Sequence, residues 1–76
     1  MTLQQLEYIV ALDKHRHFGK AATECNITQS TLSTMVKKLE EELDTTIFDR
    51  DSHPLRPTMA GERIIKQAHV VLYNAN

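Results

Sequence analysis

The chain has 76 residues, 41% of them hydrophobic and 25% charged, and a formal net charge of -1. This composition excludes intrinsic disorder, and the length allows one small domain whose single core is marginal without tight helix packing or an oligomeric partner. The one cysteine, Cys25, excludes an intramolecular disulfide framework, no segment approaches membrane-spanning length, and MTLQQLEYIV lacks the basic and apolar regions of a secretory leader, so a cytoplasmic protein without a membrane partner is expected.

Thr2 can cap a first helix over roughly residues 3–15, with Leu6, Ile9, Val10 and Leu12 on its buried side. His15-Arg16-His17 breaks the apolar pattern, and His17 beside Phe18 suits a packing or capping role at the corner. A second, short helix is expected from Phe18 or Gly19 to Cys25. Its Ala21 and Ala22 allow another helix to approach closely, and Cys25 shares their face, where a small buried thiol is inert. Asn26 then stands where a tight turn needs tolerance of the left-handed region. Thr28 is placed to cap the third helix, its hydroxyl accepting from the backbone N–H near Thr31.

The third helix has two different faces. Leu32, Val36, Leu39 and Leu43 fall at i, i+4, i+7 and i+11, one stripe directed at a core. The other face carries Gln29, Ser30, Ser33, Thr34 and Lys37: small hydroxyls, an amide and a cation in place of the usual Glu/Lys mixture. A DNA major groove admits such a helix, with its early residues at base edges. Gln29 on an arbitrary helix would simply be solvated, but here the flanking hydroxyls and the preceding turn favour contact, and a Gln amide can bond adenine N6 and N7 together. Of the pair Lys37 and Lys38, only Lys37 is in line with Gln29 and Ser33 at i+4 spacing, which makes it the expected phosphate contact. Glu40, Glu41, Glu42 and Asp44 cluster at the far end and read as a solvated helix terminus pointing away from phosphate. With the slightly negative net charge this predicts modest, salt-sensitive affinity.

Thr45-Thr46-Ile47-Phe48 is β-branched and aromatic, and Leu55-Arg56 lies beyond the turn-rich Asp51-Ser52-His53-Pro54, a pattern that predicts a small β-hairpin limited in length by Pro54 and Pro57. Thr58 caps a fourth helix, with Glu62 favouring its dipole. On that helix Ile64, Ala68, Val71 or Leu72, and Ala75 recur at spacings of three and four. The stripe exceeds what so small a domain can cover, so Ile64, Ala68, Val71 and Leu72 are the expected contacts of a two-fold dimer. The helical pattern still runs at Tyr73-Asn74-Ala75-Asn76, as expected of a fragment of a longer protein. His15, His17, His53 and His69 have no metal-ligand spacing, and there is no Ser/His/Asp arrangement, glycine-rich phosphate loop or isolated carboxylate pair. Neither a metal, a cofactor nor an enzyme is expected.

The segments LQQLEYIVAL, AATECNITQSTLS, KKLEEELDTTIFDR and PTMAGERI together resemble the N-terminal domain of LysR-type transcriptional regulators, across essentially the whole chain. The variant HRHFGKAATECNITQSTLS is most similar to the peroxide-sensing members. The resemblance implies a mainly α winged helix-turn-helix over 1–58, with three helices and a small β-hairpin wing, followed by a dimerising linker helix over 59–76, the C-terminal effector domain being absent. It places Thr28, Gln29, Ser30, Thr31 and Ser33 at the start of the recognition helix, Thr34 and Lys37 along its DNA side, and Arg50 and His53 on a wing near the flanking backbone or minor groove. Ser30 stands where the family usually has Pro, Thr34 where a larger polar or basic residue is common, and His53 where Arg is common. The implied partners are double-stranded DNA with inverted-repeat half-sites and a second copy of the chain, extending to a higher oligomer in the full-length protein. The competing reading is a winged-helix protein-interaction module that uses the apolar stripe of the fourth helix.

Overall fold

The computed structural model describes residues 1–75, without the Ala75 side chain; Asn76 and that side chain, at the end of the expected stripe, lie outside the described residues. Helix α1 spans Leu3–His15. Its start is a capping box: Thr2 Oγ1 accepts from Gln5 N at 3.1 Å, and Gln5 Oε1 accepts from Thr2 N at 2.9 Å. It stops where Arg16 turns left-handed at φ 53°. Helix α2 (Phe18–Glu24) begins on the side chain of His17, whose Nδ1 accepts from Lys20 N at 3.1 Å. Asn26 makes the expected left-handed turn at φ 59°. Helix α3 (Gln29–Leu43) follows, with Thr28 Oγ1 accepting from Thr31 N at 3.1 Å. Replacing Thr28 by Ala should lower stability by about 1 kcal/mol, the usual cost of an N-cap, checked by thermal melts of parent and variant.

Leu6, Ile9 and Leu12 of α1, Ala21 and Ala22 of α2, and Leu32, Val36 and Leu39 of α3 are buried as the periodicity predicts. Two details differ. Val10 and Leu43 are only half-buried, while Tyr8 and Ala11 are buried. Helix α1 is the central element, packed by α2, α3 and the fourth helix, so a wider face than one stripe is covered.

The wing is shorter and later than the β-branched run suggests. Strand β1 is Phe48–Asp49 and strand β2 is Arg56–Pro57, antiparallel with Phe48 opposite Pro57 and Asp49 opposite Arg56. Thr45 and Thr46 stay outside it. Ile47 and Phe48 are apolar because they enter the core, at 0% and 1% exposure, and their N–H groups bond a side chain of α3 rather than a partner strand. Beyond the tip, Leu55 is buried and its N–H bonds Arg16 O at 3.3 Å, which ties the hairpin to the α1–α2 corner.

Helix α4 spans Met59–Ala75. Thr58 Oγ1 accepts from Gly61 N at 2.9 Å and donates to Thr46 O, while Thr58 N donates to Ile47 O at 2.8 Å. The helix start is thereby pressed onto the chain entering the wing. Its far part lies on α1 through Ile65 and Ala68. The expected dimer stripe is corrected here: Ala68, at 1% exposure, belongs to the chain's own core, and Leu72 packs half-buried against it. A small side chain at this inward position suits the packing of α4 on α1.

Candidate nucleic-acid interface

The first turns of α3 stand at the surface, with Thr28, Gln29, Ser30, Thr31, Thr34 and Lys37 all exposed. Their hydrogen bonds separate structural from available groups. The Thr28 hydroxyl is committed to the cap, since it accepts from Thr31 N and donates to Thr31 Oγ1 at 2.8 Å. The exposed Ser30 hydroxyl lies 3.4 Å from Thr28 Oγ1, and the exposed Thr31 hydroxyl accepts from Thr28 and keeps its own proton to donate. Gln29 lies beside the first turn of α2: a Cβ on Gly19 would stand 3.3 Å from Gln29 Oε1 and 3.0 Å from His17 Cε1. Glycine at 19 leaves space for both side chains, a requirement invisible in the sequence pattern.

Ser33 and Arg50 are arranged differently from the expectation that both face DNA. Arg50 turns its guanidinium inward, where Nη1 donates to Ser33 Oγ at 2.8 Å and Nη2 to Ser33 O at 3.4 Å. The same group is 3.6 Å from Glu40 Oε1, and its carbon sits 4.9 Å from the centre of the Phe18 ring. A planar, always charged fork satisfied by a hydroxyl, a carbonyl, a carboxylate and an aromatic face has little reason to leave them. Glu40 is likewise not part of a solvated acidic end. Its side chain is 13% exposed, and Oε2 accepts from Ile47 N at 2.7 Å and Phe48 N at 3.3 Å. The signal in the sequence was spacing: Glu40 continues the four-residue series Leu32 and Val36, at the edge of the buried stripe.

His53 is exposed near the wing tip. With Gln29 and Arg50 it borders one open groove between α2, α3 and the hairpin, together with Arg16, His17 and Lys20 from the α1–α2 corner. Sequence reasoning passed over those three because they sit at a helix junction rather than on the recognition helix. Lys37 lies away from this groove, beside a second depression edged by Glu40, Glu41 and Asp44.

At the opposite end of α2, Cys25 is the C-cap residue and is half-buried rather than a core position. Burial, with the carboxylates of Glu24 and Glu7 nearby, pushes its thiol pKa up. It should therefore react slowly with an alkylating reagent at neutral pH and faster as pH rises, followed by mass spectrometry of the folded chain. Glu24 is held below the usual carboxylate range by Lys14 Nζ at 3.0 Å and His15 Nε2 at 3.1 Å, so what it adds to stability is present at neutral pH and lost as acid titrates it. Among the described residues no three His, Cys, Asp or Glu side chains are grouped to hold a metal ion, and no helix is long and apolar enough to cross a membrane.

Residues 3–62 match the family model described as the bacterial regulatory helix-turn-helix protein, lysR family. The chain is 44% identical over 72 residues to the DNA-binding transcriptional dual regulator OxyR of Escherichia coli K12, covering 95% of this chain and 24% of that protein. It is equally similar to the hydrogen peroxide-inducible genes activator of Pectobacterium carotovorum, again over 95% of this chain and 24% of the relative. Thus the chain spans about a quarter of the length of the curated relatives it matches. Among solved structures, a full-length OxyR variant from Pseudomonas aeruginosa superposes with a TM-score of 0.93 at 51% identity, covering 99% of this chain and 25% of that one. The DBD of BenM in complex with benA site 1 DNA superposes with a TM-score of 0.96 at 36% identity, covering 99% of this chain and 84% of that one.

Proposed function

This chain belongs to the lysR family of bacterial regulatory helix-turn-helix proteins, and from that premise we propose that it binds double-stranded DNA sequence-specifically, as part of a peroxide-responsive transcription regulator in the cytoplasm. Residues 1–58 form the DNA-binding unit and 59–76 the linker. Helix α3 enters the major groove through Gln29, Ser30, Thr31 and Thr34, with Lys37 on phosphate and His53 at the flanking backbone or minor groove. Ser33 borders this face with its hydroxyl oxygen already bonded to Arg50. The single observation that carries the reading is the acid-free, exposed start of α3 beside a groove whose other walls present Arg16, Lys20 and His53.

A salt titration of duplex binding tests it. Counterion release makes log affinity fall linearly and steeply with log salt, and a duplex selected from a random-sequence pool should hold tighter than a scrambled one. No duplex binding at any salt would favour the rival, a protein-interaction module. Peroxide control belongs to other parts of such a regulator, because a thiol switch needs a resolving partner and Cys25 is the one cysteine here.

The same reading includes a two-fold dimer through α4. Ile64 and Val71 wall an apolar groove with Met1, Leu6 and Leu43, floored by Ala68, while Val70 and Tyr73 are 50% and 83% exposed on the same helix. The two copies of α3 then face successive major grooves about one helical turn apart, on an inverted repeat. Val71→Asp should convert the dimer to a monomer in sedimentation and, since Val71 is 40% exposed in the single chain, should lower the melting temperature only by removing the part that rises with chain concentration in the parent. A Val71→Asp variant that remained dimeric would remove this helix face from the interface.

A further inference from the structure

We propose that Glu40 and Arg50 are positioning residues that fix the angle of the wing against the recognition helix, and that Arg50 acts through this bracket rather than by touching phosphate. The inference rests on the DNA-binding reading above. Its basis is that two side chains join three elements. The two Glu40 oxygens divide the work: Oε2 takes the N–H groups of Ile47 and Phe48 where the chain enters β1, and Oε1 faces Arg50 Nη2 at 3.6 Å. Arg50, immediately after β1, returns to α3 through the hydroxyl and carbonyl of Ser33 and lies over Phe18 of α2. Both side chains are mostly sheltered, 13% exposed for Glu40 and 30% for Arg50. The wing is otherwise held by two residue pairs of ladder, by the buried Ile47, Phe48 and Leu55, and by the bonds of Thr58 to Thr46 O and Ile47 O and of Leu55 N to Arg16 O. A two-residue hairpin does not set its own direction, and the bracket is what ties it by hydrogen bonds to α3.

The arrangement separates two roles that a basic wing residue can play. A phosphate contact contributes one unit to the salt dependence of binding; a positioning group changes affinity and leaves that slope alone. Glu40 sharpens the distinction. Removing an acid near DNA strengthens binding on charge alone, whereas removing one limb of the bracket weakens it.

The experiment uses the 76-residue chain and two probes, a duplex selected from a random-sequence pool and a scrambled duplex, titrated across a range of salt. Arg50→Lys keeps the cation but loses the planar fork. It is expected to bind the selected duplex roughly tenfold more weakly, with an unchanged salt slope. Glu40→Gln should weaken binding in the same direction, and the double variant should lose no more than the worse single one, as expected of two parts of one device. Lys37→Ala, lowering the slope by about one, is the comparison for a phosphate contact. Near-parent binding by Arg50→Lys, together with tighter binding by Glu40→Gln, would overturn the proposal and return Arg50 to the phosphate backbone. Additive losses in the double variant would also overturn it. Should Arg50→Lys fail to fold, Glu40→Gln decides by itself, because its Oε1 can still accept from Ile47 N while the Arg50 ion pair is gone: weaker binding at unchanged slope supports the bracket, and parent-like or tighter binding rejects it. A parent chain that binds neither duplex would refute the DNA-binding reading itself, an outcome distinct from all of these.

Discussion

Gly61→Ala is expected to destabilise the domain by about 3 kcal/mol or more, a loss at the upper end for overpacking, although the substitution improves helix propensity by about 1 kcal/mol. The reason is steric. A Cβ at position 61 would lie 1.9 Å from Ile47 O and 2.8 Å from its carbonyl carbon. Neither atom belongs to a flexible side chain, and Ile47 O is also the acceptor of Thr58 N at 2.8 Å. Relief requires α4 to swing away from the chain entering the wing, which uncaps the helix and opens the contact that seats Ile65 and Ala68. For a domain of this size each kcal/mol moves the melting temperature by about 4–8 °C, so a fall of roughly 10–25 °C is expected by calorimetry. Ala60→Gly, one residue earlier on the exposed side, should cost only about 1 kcal/mol from propensity. Parent-like melting of Gly61→Ala would mean that α4 does not approach the wing as closely as described.

Gln29→Ala is expected to lose about 1 to 3 kcal/mol of affinity for a selected duplex, roughly 5- to 150-fold, while binding to a scrambled duplex stays within a small factor of the parent. The change should relax preference at one base position per half-site. Gln29 is exposed at the first position of α3, and Gly19 leaves its amide unobstructed. Lys37→Ala should instead weaken both duplexes alike and reduce the salt slope by about one, because a phosphate contact carries no sequence information. Equal effects of both substitutions on both duplexes would show that Gln29 reads no base.

By itself the sequence determined the four helices and the exposed face of α3, but not the extent of the wing strands. Thr2, His17, Asn26 and Thr28 act locally: each makes its cap or turn with residues two to four positions away, and such bonds follow from residue type and spacing. The stripe Leu32, Val36 and Leu39 was equally legible, since helical periodicity needs no knowledge of what covers it. Tertiary structure alone decided the rest. Glu40 and Arg50 looked like a solvated acid and a wing cation because their partners lie seven to seventeen residues away, at Ile47, Phe48 and Ser33, and no periodic pattern links positions across two elements. Ala68 fitted a dimer stripe by spacing, and only the packing of α4 on α1 assigned it to the chain's own core. Gly61 carried no signal beyond its helix position, because what it must avoid is a carbonyl fourteen residues earlier. Periodicity tells which face of an element is apolar; it does not tell which neighbour that face will meet, and long-range contacts settle that once loop directions and helix crossings are fixed.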